Sequence, residues 1–139
     1  VVELFLGGGF DYAANINPET FPDGLDVEVF TREALEISAR EAKLKSESEH
    51  VTQYIRKNEK FKKGNLSAPQ NLSKFRLTVD NPEDLEVIRF LVENSNPGSG
   101  YLDYVKLLTK NPDLFAKNAH IERNEGLKKS LKEDSLIKK

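Results

Sequence analysis

Apolar positions along the chain fall into two rhythms, one of period two and one of helical spacing. Val1, Val2, Leu4, Phe5 and Leu6 read as the last two turns of an amphipathic helix. Gly7-Gly8-Gly9 closes it, glycine being able to take the left-handed conformation at a helix end. A short strand over Phe10 to Asn17 follows, then a proline-containing turn over residues 17–24 and a second strand over Leu25 to Phe30. Thr31 is placed to cap a helix that runs to about Ala42, with Ala34, Leu35, Ser38, Ala39 and Ala42 on one face. Ser46 and Glu49 have the spacing of a capping box and predict a helix to about Lys57, and Phe61 to Leu66 predicts a third strand. Phe75, Leu77 and Val79 alternate with Arg76, Thr78 and Asp80, which predicts a strand with a carboxylate at its end. Asn81-Pro82-Glu83-Asp84 then opens a helix through Val92, with Asn81 as its cap and two acids in its first turn. Beyond the linker Asn96-Pro97-Gly98-Ser99-Gly100 come an amphipathic helix at Tyr101 to Leu108 and a shorter one at Asn111-Pro112-Asp113-Leu114. Strands and helices alternate, which favours an α/β sheet.

Composition narrows the function classes. With 139 residues, 37% of them hydrophobic, the chain can bury one core. A net charge of −2 gives no whole-molecule attraction for nucleic acid or an acidic membrane, so neither is expected as a partner. No apolar run approaches the ~20 residues of a membrane helix. Cysteine is absent, which rules out disulfides, thiolate metal sites and thiol catalysis and agrees with a cytoplasmic location. His50 and His120 are too few for a multi-histidine metal site. Methionine is absent and the chain opens inside a helical pattern, so a piece of a longer protein is expected. The segment from Lys117 to Lys139 is modestly basic and reads as a solvated extension.

Three clusters carry candidate chemistry. The strand-end Asp80 stands where ligands bind in open α/β sheets, although a strand edge followed by a well-capped helix accounts for the same residues. Pro22-Asp23-Gly24-Leu25-Asp26-Val27-Glu28 offers three carboxylates, of which alternation puts Asp26 and Glu28 on one face, against the plainer reading of an edge strand with its charges in water. Glu49 and His50 open the third cluster, where His50 and Tyr54 share a helix face and a purely structural histidine is the alternative. The three glycines lack the spacing and the preceding strand of a phosphate-binding loop.

Taken in order, the Phe21 to Phe30 stretch, Glu49-His50-Val51-Thr52 with Tyr54-Ile55, and Arg76-Leu77-Thr78-Val79-Asp80 with Pro82-Glu83-Asp84-Leu85 resemble the C-terminal half of a bacterial sugar cytidylyltransferase. The group they resemble is the spore-coat polysaccharide biosynthesis protein F type, related to the CMP-Kdo and acylneuraminate cytidylyltransferases. The resemblance implies a three-layer α/β/α nucleotide-diphospho-sugar transferase-like fold around a mixed sheet, with residues 1–95 as the C-terminal half of the catalytic domain and residues 96–139 as linker and helical extension. It implies a nucleotidyltransferase that moves CMP from CTP to a sugar with release of pyrophosphate, using Mg2+, in a parent that forms a homodimer. Asp80 matches a metal-holding carboxylate of that family, and Pro22, Asp23, Gly24, Asp26 and Glu28 match its sugar-facing segment. Glu49, His50 and Arg76 would line or brace that pocket. The family's glycine- and arginine-bearing nucleotide loop and first metal-binding aspartate have no counterpart here, so the chain alone is expected to be inactive. A non-catalytic sugar- or protein-binding module is the alternative.

Overall fold

The computed structural model describes residues 1–137, so Lys138 and Lys139 of the expected extension lie outside the described residues. Its elements run α1 (Val2–Gly8), β1 (Tyr12–Ala14), β2 (Glu28–Phe30), α2 (Arg32–Glu41), α3 (Lys45–Glu49), α4 (Gln53–Lys57), β3 (Lys63–Asn65), α5 (Pro82–Glu93), α6 (Tyr101–Lys110), α7 (Pro112–Asn118) and α8 (Glu125–Ile137). The fold is mixed α/β, as expected. The chain divides into two compact units, the first comprising Val1–Pro18, Val27–Ser67 and the residues from Asn124 onward, the second Glu19–Asp26 and Ala68–Arg123. Of the described residues beyond the 96–100 linker, those to Arg123 fall in the second unit and those from Asn124 in the first.

The first unit is built on a three-stranded mixed sheet in the order β2-β1-β3. β1 pairs antiparallel with β2, Tyr12 facing Phe30, and parallel with β3, Ala13 facing Gly64. All three residues of β1 are buried, as befits the central strand. Its core gathers Tyr12, Ala14, Ile16, Ala34, Ile55 and Phe61, with Phe30, Ile37 and Tyr54 packed against them. Gly9 ends α1 at φ 57°, the left-handed conformation the glycine run supplies. Thr31 caps α2 as its sequence predicts, its Oγ1 accepting from the Ala34 amide at 3.0 Å.

Two expectations for this unit fail. The stretch from Ser46 to Lys57 is two short helices, because the chain leaves helical geometry at His50. The acid that closes the N-terminus of α3 is Glu47, which accepts from the Lys43 and Leu44 amides at 3.0 and 3.1 Å, while Ser46 is buried. The C-terminal segment is no solvated extension, for α8 packs on α3 and buries Ser130 and Asp134. Its inward positions are polar, and local patterning assigns polar positions to solvent.

The second unit is helical, with Leu72, Phe75, Val87, Leu91, Val105 and Leu108 as its core. α5 begins and ends where the sequence predicts, but the Asn81 side chain makes no capping bond. The expected strand over Phe75–Val79 is also absent. The segment makes only an isolated parallel bridge between Arg76 and Asp23, in which the Asp23 amide donates to the Phe75 carbonyl at 2.9 Å and the Leu77 amide to the Asp23 carbonyl at 2.8 Å. Phe75 and its neighbour Arg76 are both buried while Val79 is exposed, so the alternation there does not separate core from solvent.

Candidate functional site

In the second unit the expected site residues converge on one guanidinium. Arg76 enters from the extended segment before α5, with its side chain only 7% exposed. Its Nε and Nη2 donate to the two oxygens of Asp84 at 2.9 and 3.0 Å, a bidentate pair. Its Nη1 donates to Asp23 Oδ2 at 2.7 Å, and its Nη2 also reaches Asp80 Oδ2 at 2.9 Å. Asp84 sits in the first turn of α5 and is fully buried. Beyond Arg76 it accepts from Asn118 Nδ2 of α7 at 2.9 Å and from the amides of Asp80 and Asn81, both at 3.1 Å. Burial acts to raise the Asp84 pKa, yet these donors outweigh it and hold the carboxyl well below the usual carboxylate range.

A second arginine shapes the loop that carries Pro22 to Asp26. Arg123 pairs with Asp26, lies 3.4 Å from Asp23 and 3.6 Å from Glu19, and donates to the Phe21 carbonyl at 3.3 Å. Burial pushes the Asp26 carboxyl up, Arg123 opposes it, and neighbouring Asp23 adds to the rise. Pro22 is buried. Gly24 turns at φ 93°, where an added Cβ would stand 2.7 Å from the Leu77 carbonyl oxygen, so this position requires glycine. Asp23, Asp26, Asp80, Asp84 and Glu19 thus share two guanidinium groups. Of the sequence-predicted residues, Pro22, Asp23, Gly24, Asp26, Arg76 and Asp80 belong to this cluster or its loop. Asp80 is its open member, with a side chain 65% exposed. No group of three or more His, Asp or Glu side chains among the described residues is arranged to hold a metal ion.

Glu28, Glu49 and His50 lie in the first unit. Asp26 precedes β2 and Glu28 begins it, so the face they were expected to share as strand residues does not form. Glu28 accepts instead from the Tyr12 hydroxyl. Ser130 of α8 donates to Glu49 Oε2 at 2.5 Å and lies 3.2 Å from His50 Nε2, so both residues serve the seam between α3 and α8. Tyr54, predicted to share a face with His50, donates its hydroxyl to Glu41 at 2.6 Å.

The same unit holds an open cleft of about 210 Å³ that runs along the parallel strands β1 and β3 and the residues after β1. Tyr12, Ile16, Asn17, Arg56, Lys63 and Asn65 line it. Burial, followed by the Glu28 carboxylate, pushes the Tyr12 phenol well above its usual range and keeps it protonated. Lys63 Nζ donates to the carbonyls of Arg56 and Asn58 at 3.0 and 2.9 Å, closing the end of α4. Asn65 Oδ1 accepts from the Asn17 amide at 2.9 Å. Sequence reasoning gave no role to Arg56, which ends the third cluster, nor to Lys63 and Asn65, which stand in no motif, nor to Asn118 and Arg123, whose partners are far away in sequence. Asp84 was within reach, since an acid at the third helical position after Asn81 is where a capping carboxylate sits.

No known family profile matches the chain. It is 33% identical over 126 residues to an uncharacterized protein of Methanocaldococcus jannaschii, an alignment that covers 88% of this chain and 51% of that protein. A solved structure from Leptospira borgpetersenii serovar Hardjo-bovis (strain JB197) superposes with a TM-score of 0.76 at 32% identity, covering 88% of this chain and 52% of the other. That structure is of a cytidylyltransferase. The mixed α/β fold described above is therefore nucleotidyltransferase-like, and the chain spans about half the length of the proteins it matches. Among the described residues no helix is long and apolar enough to cross a membrane.

Proposed function

We propose that this chain is the acceptor-side portion of a sugar cytidylyltransferase, of the spore-coat polysaccharide type, that transfers CMP from CTP to a sugar and releases pyrophosphate for a surface polysaccharide. The observation that carries the reading is the likeness to a cytidylyltransferase, in which 32% identity accompanies a TM-score of 0.76 over 88% of the chain. Phosphoryl-group transfer of this kind depends on positioning and electrostatics and asks for no nucleophile from the protein. That suits a chain with no cysteine and few histidines.

On this reading Asp80, the exposed member of the Arg76 cluster, would hold Mg2+ together with ligands from outside this chain. The remaining ligands and the nucleotide loop belong to the part of the parent that this chain does not span. Magnesium, when bound, neutralises charge on the reacting phosphates. Arg76 and Asp84 fix where the Asp80 carboxylate stands, and the Pro22–Asp26 loop faces the acceptor. Glu49 and His50 brace the fold through α8. The parent acts in the cytoplasm as a homodimer, and this chain alone is inactive.

A sugar- or protein-binding module is the second reading. It is favoured by one observation, that Asp23, Asp26, Asp80 and Asp84 all already have arginine partners. The test is pyrophosphate release by the parent extended upstream, with each nucleoside triphosphate, magnesium, a panel of acidic sugars, and Asp80→Asn as control. Release that needs CTP and falls at least a hundredfold in the variant supports the enzyme; a folded parent that releases none with any acceptor supports the module.

A further inference from the structure

Within the second unit the loop over residues 19–26 is held in two different ways. Its first part is fixed largely through the backbone. Thr20 accepts from the Leu72 amide at its carbonyl and from the Ala68 amide at its Oγ1, both at 2.8 Å, and Asp23 makes the two bonds of the isolated bridge. Asp26, beyond Gly24, is held by a side chain, the guanidinium of Arg123. The Arg123 side chain is 12% exposed, and its Nε is buried and makes no hydrogen bond among the described residues, meeting only Asp23 at 3.4 Å and Glu19 at 3.6 Å. Asp23 is thereby shared, with Oδ2 on Arg76 and Oδ1 toward Arg123. Asp80, Arg76, Asp23, Arg123 and Asp26 form an unbroken row of alternating charge from the extended segment before α5 to the end of the loop. Three carboxylates, Glu19, Asp23 and Asp26, crowd around the one cation of Arg123, so removing it leaves them to repel one another and pushes the Asp26 carboxyl further up.

We propose that Arg123 is a positioning residue for the acceptor, holding the Asp26 carboxylate in place to accept a hydrogen bond from a hydroxyl of the sugar. The Asp26 side chain is 37% exposed; Arg123 takes its Oδ1, and its Oδ2 makes no hydrogen bond among the described residues. An ionised carboxylate oxygen makes a short, strong bond to a hydroxyl. A carboxylate already tied at one oxygen by a planar guanidinium loses less freedom in making it. Arg123, with three carboxylates and the Phe21 carbonyl around it, acts through Asp26 rather than on the sugar itself. The inference rests on the proposed function in taking this loop to face the acceptor.

Two measurements test it. The first is a carbon-13 NMR pH titration of the Asp26 carboxyl in the full 139-residue chain, comparing the wild type with Arg123→Gln and Arg123→Lys after confirming that each is folded. The midpoint should rise by about one pH unit or more in Arg123→Gln and by less in Arg123→Lys. An unchanged midpoint in Arg123→Gln would overturn the proposal. The second is steady-state kinetics of the parent with CTP, magnesium and the acidic sugar that supports release. Arg123→Gln should raise the acceptor KM tenfold or more with the CTP KM unchanged, and Arg123→Lys should recover part of the loss. Arg123→Gln combined with Asp26→Asn should have an acceptor KM no higher than that of Asp26→Asn alone, because the arginine acts through that carboxylate. A merely structural role lowers kcat through a smaller folded fraction and leaves the acceptor KM unmoved; that result, or a double variant whose losses add, would overturn the proposal. Should Arg123→Gln not fold, both measurements are read on Arg123→Lys, where an unchanged midpoint and an unchanged acceptor KM would again overturn it. A parent that releases no pyrophosphate with any nucleotide and acceptor overturns the proposed function and this role with it, whereas release with an unmoved acceptor KM overturns this role alone.

Discussion

Removing the Asp84 charge would leave Arg76, with a side chain only 7% exposed, short of its bidentate partner. Taking one member from a buried ion pair costs about 3–5 kcal/mol, because the other charge stays buried. Asp23 and Asp80 still touch Arg76, so the lower end of that range is expected for Asp84→Asn. The pH dependence follows from the same contacts. A carboxyl whose pKa is lower in the folded than in the unfolded state adds stability above its unfolded value of ~3.9 and loses it as pH falls toward the folded value. Urea midpoints should therefore drop between about pH 5 and 2 in the wild type and drop less steeply in Asp84→Asn; parallel slopes would refute the assignment. Gly24→Ala tests a different constraint. At φ 93°, with a Cβ 2.7 Å from backbone oxygen, alanine should cost at least about 2 kcal/mol in chemical denaturation. At this scale the sequence exposed the residues but not their partners. Asp23, Arg76 and Asp80 were legible as chemistry-bearing because they stand in short charged motifs, whereas the ties to Asn118 and Arg123 depend on contacts between residues far apart in sequence.

Helices were more legible than strands, for a physical reason. α2, α5, α6 and α7 are specified by nearby caps, prolines and periodicity, all read within a dozen residues. The strands are three residues each and owe their existence to partners elsewhere, so Phe75–Val79 could look like a strand and make one bridge. α8 shows the opposite failure, an element whose packed face is polar. Asp134 accepts from the Ser46 amide at 3.2 Å in the first turn of α3, where a carboxylate meets the positive end of the helix dipole. Asp134→Ala should therefore speed hydrogen exchange at the amides of α3 by several-fold while leaving those of α5 unchanged. Equal protection of α3 in the variant would mean that α8 contributes only its apolar contacts.

For the whole molecule the question is what its surfaces do in a chain half as long as the proteins it matches. β2 and β3 each have β1 as their one neighbour, so the sheet has two unpaired edges among the described residues. On α1, Val2 is 54% exposed and Leu6 76%, and the helix buries no residue. Unpaired edges beside exposed apolar side chains favour association between copies, and a net charge of −2 opposes it only weakly. Against this, the edges are short and carry Glu28 and Lys63, both features that blunt edge-to-edge pairing. The balance predicts weak, concentration-dependent self-association rather than a discrete oligomer. Sedimentation velocity of this chain should then show a weight-average coefficient that rises with concentration. Under the proposed function the longer parent covers these surfaces and should sediment as one discrete species. A chain that sediments as a single monomer at every concentration would show that its surfaces need no covering, and would count against its being half of a catalytic domain.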